Sequence, residues 1–192
     1  EVSCVASAQF SADGESIYVA TDAGTAETWD AAAGTKRAEF DYRSPAERAE
    51  GSSKWRTPPA FSPNGDRLAA IPYEGLEPTP ETNRAAKLVR ILATRGGREV
   101  AILRGHQNSV NTAVFSRDGL RVVTASEDGT ARIWDARSGA LVHTLQGPPI
   151  GVNGAQFSAD GRLMAAAAAG AAAAQSGAAM SSNEFQRSRR RS

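Results

Sequence analysis

The stretch from Gly105 to Gly147, GHQNSVNTAVFSRDGLRVVTASEDGTARIWDARSGALVHTLQG, decides the fold. It alternates short apolar runs with turns that contain Gly and Asp, a pattern typical of antiparallel strands. Gly129 and Gly139 supply the positive backbone φ that tight hairpins require. Both faces of the resulting sheet are apolar, so the unit has to stack against neighbours on each side. The predicted strands are Val110–Phe115, Arg121–Ser126, Ala131–Trp134 and Ala140–Leu145.

Partial copies of this unit lie on both sides of it. Trp29 follows Phe10 by 19 residues, Trp134 follows Phe115 by the same distance, and each Trp is followed by Asp. Matched spacings of this kind indicate an internal repeat. The turn that begins at Phe115 has three counterparts, in which the Phe, the Ser and the final Gly are kept: Phe10–Gly14, Phe61–Gly65 and Phe157–Gly161.

These residues resemble the WD-repeat (WD40) family of β-propeller proteins. The 42 residues between Gly105 and Gly147 fit the roughly 40–45 residues of one four-stranded blade. The resemblance implies an all-β fold, namely an incomplete WD-repeat β-propeller of about three to four four-stranded blades in an open arc. The expected partial propeller covers residues 1–168, with blades at about 1–40, 41–104 and 105–147 and an incomplete one at 148–168.

Two units depart from the family pattern. In the second unit, Leu92 stands where Trp is usual, and insertions around 42–54 and 72–84 are expected to lie in loops. The fourth unit fades into alanine and has no Trp-Asp ending. Residues 169–192, rich in Ala, Ser and Arg, are expected to form a disordered or weakly helical tail.

The chain is too short to form a complete seven-bladed ring of this kind. A seven-bladed propeller needs roughly 300 residues, and this chain has 192. Because the sequence starts with Glu1 and not Met, we expect a segment of a longer or processed product. An open arc is expected to leave sheet edges unpaired, which favours self-association.

Composition excludes several classes of function. The net charge of +1 provides no field for nucleic acid, so nucleic-acid binding is not expected despite the Arg-rich end. Cys4 is the only cysteine, which excludes an intrachain disulfide and a zinc site built from cysteines and fits a reducing, cytoplasmic compartment. The sequence contains no apolar run of the roughly 18 residues that a membrane span requires, so no membrane span is predicted. Phosphate-binding and metalloprotease motifs are absent, so no cofactor and no metal are expected.

The resemblance also implies a structural hydrogen-bond tetrad made by His106, Thr124, Asp128 and Trp134. In this tetrad, Asp128 accepts a hydrogen bond from the ring of His106. The same ring contacts Thr124, and Thr124 reaches the indole N–H of Trp134. A Thr-His-Asp set also resembles a hydrolase triad, but the tetrad accounts for every member, so no catalytic residue is assigned. The other units lack the set, with Val19 and Ala23 at the Thr and Asp positions of the first unit and Ser52 and Pro148 at the His position of the second and fourth.

By resemblance, the chain is a non-catalytic protein–protein interaction scaffold whose loops hold a protein or peptide partner. Position alone makes Asp22, Asn108, Ser109 and Glu127 the candidate partner-contact residues. Two alternatives stay open. In the first alternative, the chain is the C-terminal sensor or regulatory segment of a larger bacterial signalling protein, whose NTPase, protease or kinase module lies outside this chain. In the second, it is a truncated copy without present function.

Overall fold

The computed structural model describes residues 4–43, 58–72, 87–147 and 151–158, and the backbone alone of residues 164–168. Within these ranges all helix or strand structure is β-strand, which confirms the all-β prediction. The strands are β1 (Val5–Phe10), β2 (Ser16–Thr21), β3 (Thr25–Asp30), β4 (Lys36–Asp41), β5 (Ala60–Phe61), β6 (Arg67–Ala70), β7 (Leu88–Ala93), β8 (Glu99–Arg104), β9 (Val110–Phe115), β10 (Arg121–Ser126), β11 (Thr130–Asp135), β12 (Leu141–Gln146), β13 (Val152–Phe157) and β14 (Met164–Ala168).

The strands pair in chain order into antiparallel meanders. The first sheet is β1–β4, the second β5–β8, the third β9–β12, and the fourth contains β13 and β14. In the third sheet, β9 and β10 have the predicted bounds, β11 is one residue longer at each end, and β12 begins and ends one residue later. Most of the two predicted insertions and the whole predicted tail at 169–192 lie outside the described residues.

A serine side chain holds the first hairpin turn of each four-stranded sheet. Ser116 Oγ donates to Asp118 Oδ1 at 2.5 Å in the third sheet, and Ser11 and Ser62 make the same bond to Asp or Asn in the first and second. Gly119 then adopts a φ of 68°, a left-handed conformation that glycine reaches without strain. The repeated Phe-Ser turn therefore reverses the chain through a hydrogen bond and a glycine conformation that both lie within the turn.

The sheets stack face to face, and each junction is a separate apolar core. We define the rear face of a sheet as the face that packs against the preceding sheet, and the front face as the opposite one. At the first junction, the ring of Phe61 on the rear face of the second sheet stacks on Tyr18 of the first, with centroids 5.3 Å apart. At the second junction, Phe115 and Trp134 on the rear face of the third sheet share a core with Ile91 of the second. This radial stacking is the arrangement of a β-propeller.

Polar side chains tie the first strands of adjacent sheets together. Asn111 Nδ2 on β9 donates to the carbonyl of Val152 on β13 at 3.0 Å. On β1, Ser7 Oγ donates to the carbonyl of Pro59 at 3.0 Å, and Gln9 Nε2 donates to that of Phe61 at 3.3 Å. These bonds fix the first sheet against the second and the third sheet against the fourth.

The first sheet leaves its rear face uncovered. Val5 is 64% exposed and Phe10 is 65% exposed, whereas Val110 and Phe115, at the same positions of the third sheet, are 0% and 6% exposed. Cys4, the residue before β1, is also exposed. Within the described residues this face is open because the sheets associate through their faces. Self-association through open sheet edges stays a prediction.

Candidate functional site

The four predicted tetrad side chains form one hydrogen-bonded chain. Trp134 Nε1 donates to Thr124 Oγ1 at 2.8 Å. Thr124 Oγ1 lies 2.7 Å from His106 Nε2, and His106 Nδ1 lies 2.8 Å from Asp128 Oδ2. The ionised carboxylate of Asp128 can only accept, so the neutral ring of His106 carries its hydrogen on Nδ1 and donates it to Oδ2. The Nε2 atom is then an acceptor, and the hydroxyl of Thr124 donates to it.

Three elements of the third sheet bring these side chains together. Thr124 lies in β10 and Trp134 in β11, where Trp134 pairs with Val122 two residues before Thr124. The alternation of side chains along a strand places Val122 and Thr124 on one face, so the indole reaches the hydroxyl across one step of the ladder. His106 precedes β9 and Asp128 lies in the turn between β10 and β11.

The Asp128 carboxylate is the best-satisfied group of the network. It accepts from the hydroxyl of Thr130 at 2.6 Å, from the backbone N–H of Gln107 at 2.9 Å and from the backbone N–H of Thr130 at 2.9 Å, besides the bond from His106. Burial acts to raise the pKa of Asp128, but the hydrogen bonds from Thr130, Gln107 and His106 outweigh it and lower the pKa to about 2. The carboxylate is therefore ionised at neutral pH.

Thr130 and Arg132 extend the network beyond the four predicted residues. Arg132 Nε donates to Thr130 Oγ1 at 3.2 Å, and its Nη2 lies 3.7 Å from Asp128 Oδ2. The guanidinium carbon lies 6.0 Å from the ring centroid of Trp134, within the range of a cation–π contact. In the sequence, Asp128, Thr130 and Arg132 are spaced two residues apart, and side chains at this spacing lie on the same face of a strand. This spacing is the one sequence signal that could have predicted their contact.

The network has no accessible nucleophile. Burial lowers the pKa of the His106 ring more than its bond to Asp128 raises it, so the ring is neutral at neutral pH. Thr124 is fully buried, and its hydroxyl both accepts from Trp134 and donates to His106. A hydrolase triad needs a hydroxyl that a substrate can reach. The geometry is thus suited to joining a loop, a turn and a core tryptophan, and not to covalent chemistry.

The first sheet replaces the tetrad with a different arrangement. Val19 and Ala23 occupy the positions of Thr124 and Asp128, so neither offers a hydrogen bond to a tryptophan. Instead, Trp29 Nε1 donates to Glu27 Oε2 at 2.8 Å. Lys36 Nζ pairs with Glu27 Oε1 at 3.2 Å and lies 5.9 Å from the Trp29 ring centroid. Ser52 and Pro148, predicted at the histidine position of the other units, lie outside the described residues.

The four candidate partner-contact residues lie at one end of their sheets, but their side chains differ in exposure and in hydrogen bonding. Asn108 is exposed, whereas Ser109 is buried, so the side chain of Ser109 is not offered to a partner. Glu127 lies in the turn after β10, and its backbone N–H donates to the carbonyl of Ser109 at 2.9 Å. Asp22 lies in the equivalent turn of the first sheet, and its carboxylate accepts from the N–H of Cys4 at 2.8 Å.

The described ranges contain neither a cluster of metal-ligating side chains nor a helix that could span a membrane. There, His, Cys, Asp and Glu side chains do not gather in threes with the geometry to hold a metal ion. In the same part of the chain, no helix combines the length and the apolar character that a bilayer crossing demands.

Comparison with known proteins links the region of the tetrad to a family. Residues 97–135 match the family described as WD domain, G-beta repeat. The chain is 40% identical over 80 residues to a guanine nucleotide-binding protein subunit beta of Arabidopsis thaliana, covering 39% of this chain and 21% of that protein. It is 38% identical over 50 residues to the target of rapamycin complex subunit LST8 of Saccharomyces cerevisiae, covering 26% of this chain and 16% of that protein. The chain thus spans less than a quarter of the length of either relative.

A solved structure shows the same fold over most of the chain. A chain in the crystal structure of a mitotic checkpoint complex superposes with a TM-score of 0.60 at 20% identity. The superposition covers 86% of this chain and 44% of that one. At this level of identity the likeness concerns the fold alone, and it supports an incomplete propeller.

Asp128→Ala tests the structural role of the network. We expect it to lower the free energy of unfolding by about 1–3 kcal/mol, because it leaves the buried ring N–H of His106 and the hydroxyl of Thr130 without an acceptor. Urea denaturation followed by tryptophan fluorescence measures the loss. As the matched control, Asp66→Ala removes an exposed carboxylate that accepts from Asn64 Nδ2, and it should cost less than about 0.5 kcal/mol. Equal losses in both variants would contradict the role assigned to Asp128.

The stability of the protein should fall as the pH drops below neutrality. Folding holds the pKa of His106 below its usual 6.5, so in this range the unfolded chain binds the proton more readily than the folded one. The contribution of neutral His106 is therefore complete above about pH 6.5 and is lost as the pH falls through the lower, folded pKa. The Asp128 carboxyl, with a pKa of about 2 against its ordinary 3.8, adds a further loss at lower pH.

Unfolding free energies measured by urea denaturation from about pH 7 down to about pH 5 test the histidine contribution. His106→Gln should flatten the fall, whereas His143→Gln, the same change at the other histidine of the chain, should retain it. A wild-type protein whose stability does not change over this range would show that His106 is not held neutral by folding.

Proposed function

We propose that this chain, whose residues 97–135 match the WD domain, G-beta repeat family, is a protein-interaction scaffold of that family without catalytic activity of its own. We retain the blade division at about residues 1–40, 41–104, 105–147 and 148–168 as part of this proposal. A reducing, cytoplasmic compartment fits the single cysteine.

The observation that carries the proposal is that the buried polar network of the third sheet holds a loop in place. The bond from Gln107 N–H to the Asp128 carboxylate at 2.9 Å ties the segment before β9 to the turn after β10. Ser126 Oγ donates to the carbonyl of Asn108 at 3.0 Å and adds a second tie. A buried network that serves to fix exposed backbone favours recognition by a rigid surface over chemistry.

The chemistry of that surface suits a polar peptide or protein segment. Gln107 and Asn108 are both exposed. The Asn108 Oδ1 atom accepts from the N–H of Ser109 at 2.9 Å, which fixes the side-chain amide while its nitrogen keeps two N–H donors. Uncharged amides of this kind match the carbonyl groups of a partner backbone. Two of the similar proteins are named as subunits, one of a guanine nucleotide-binding protein and one of the target of rapamycin complex, which supports a role in assembly for this chain as well.

Site-specific photocrosslinking tests this proposal. A photoreactive residue at Asn108, in the protein expressed in its own cells, should form adducts with other proteins that mass spectrometry identifies. The control is the same residue at Arg137, an exposed position in the turn at the opposite end of the third sheet, which should form few adducts. Trp134→Ala, which removes the anchor of the tetrad, should abolish the adducts from position 108.

Two results would overturn the proposed function. One is an absence of protein adducts from position 108. The other is an equal yield from positions 108 and 137, which would mean that the loop end of the sheets has no special role in recognition.

A further inference from the structure

The buried ring of His106 helps to hold the loop between β8 and β9, residues 105–109, in place. The residue is 4% exposed, and its ring is bound on both sides, to Thr124 Oγ1 at 2.7 Å and to Asp128 Oδ2 at 2.8 Å. The same carboxylate oxygen accepts from the backbone N–H of Gln107 at 2.9 Å. The ring and the loop backbone next to it therefore share one acceptor.

The pocket around this ring has hydrogen-bond partners for its neutral form only. Thr124 Oγ1 accepts from Trp134 Nε1 at 2.8 Å and donates its own hydrogen to the ring. A protonated ring carries a hydrogen on Nε2 as well as on Nδ1, so two hydrogens would meet between Nε2 and Oγ1. If the hydroxyl hydrogen turned away, it would need another acceptor, and Thr124 is fully buried. Protonation in place thus costs a buried hydrogen bond.

The charged groups around the ring do not compensate for that loss. Burial lowers the pKa of His106 below its ordinary 6.5 and outweighs the carboxylate of Asp128, which acts to raise it. Arg132 on β11, whose Nη2 lies 3.7 Å from Asp128 Oδ2, brings a second positive charge that also acts to lower the pKa. From β10 the ring meets the uncharged Thr124, and the exposed Arg104 ends β8. A proton therefore binds more tightly to a ring that has left the pocket.

The loop can open at its start while its end stays attached. Gly105, where the loop starts, has a φ of 139°, and glycine rotates about its backbone bonds with fewer steric limits than other residues. At the other end, Ser126 Oγ donates to the carbonyl of Asn108 at 3.0 Å, and this bond does not involve the ring. A movement of the ring is therefore confined to residues 105–107, and the apolar cores on both faces of the third sheet stay covered.

We propose that His106 is a pH-sensitive latch on this loop: when the ring is protonated, it leaves its pocket, and the N–H of Gln107 leaves the carboxylate of Asp128. The amide surface of Gln107 and Asn108 is held in place only in the closed form, so acidification withdraws it from a partner. This regulation rests on the proposed function of that surface, whereas the opening itself is a property of the chain alone. Since the open form binds the proton more tightly, opening is favoured as the pH falls below about 6.5.

Hydrogen exchange of single backbone amides, followed by NMR on the full chain from about pH 7 to about pH 5, tests the latch. Each rate is compared with that of an unstructured peptide at the same pH, which gives a protection factor free of the pH dependence of the exchange chemistry. The protection factor of the Gln107 N–H should fall by up to roughly tenfold for each pH unit below about 6.5, because opening takes up one proton. Asp128, with a pKa of about 2, stays ionised over this range. The control amide is Gly119, which donates to the carbonyl of Ser116 at 2.8 Å at the opposite end of the sheet and should lose far less protection.

Two histidine variants identify the group that takes up the proton. His106→Gln should remove the pH dependence of protection at Gln107, because an amide does not titrate in this range. The matched control His143→Gln, on β12, should retain it. Circular dichroism checks that both variants fold, and if His106→Gln does not, the comparison of Gln107 with Gly119 in the wild type still decides.

Three results would overturn the latch. They are a protection factor at Gln107 that does not change with pH, one that falls in step with that of Gly119, and one that keeps its pH dependence in His106→Gln. These measurements need no partner protein. Their failure is therefore distinguishable from the failure of the proposed function, which is decided by the adducts from position 108.

Discussion

The second and third sheets of this protein each have two apolar faces, and water is excluded from both. A meander such as β9–β12 can satisfy its own backbone hydrogen bonds, but it cannot bury Phe115 and Val123, which lie on opposite faces. Stacking on a sheet of the same kind solves both problems at once. The shared cores and the bonds between first strands follow from this constraint.

The tetrad connects that constraint to the exposed end of the sheet. Trp134 lies in the core between the second and third sheets, and Asp128 lies in the turn between β10 and β11. Because Thr124 and His106 join them through hydrogen bonds of 2.7–2.8 Å, the position of the loop before β9 depends on the packing of the core. A rigid loop of this kind can recognise a partner with little loss of conformational entropy.

Much of the fold and of the tetrad could be predicted from the sequence, because the sequence repeats. The third unit matches the full pattern, so its strands were predicted to within one residue, and the four tetrad residues followed from their positions in it. The contacts of Thr130 and Arg132 with Asp128 could not be predicted, because they depend on side-chain rotamers across a turn. The bond from Trp29 to Glu27 was equally hidden, since it replaces a missing threonine with a residue that the repeat pattern does not specify. The burial of Ser109 depends on packing around the start of β9, which strand periodicity does not reveal.

Native-state hydrogen exchange of the backbone amides tests the central claim most directly, namely that covered faces set the stability of each sheet. Strands β10 and β11 should exchange most slowly, because their sheet is covered on both faces and tied by the tetrad. The strands β2 and β3 should exchange faster, because one face of their sheet is open. Exchange in β2 and β3 as slow as in β10 and β11 would show that the stability of a sheet does not depend on its neighbours.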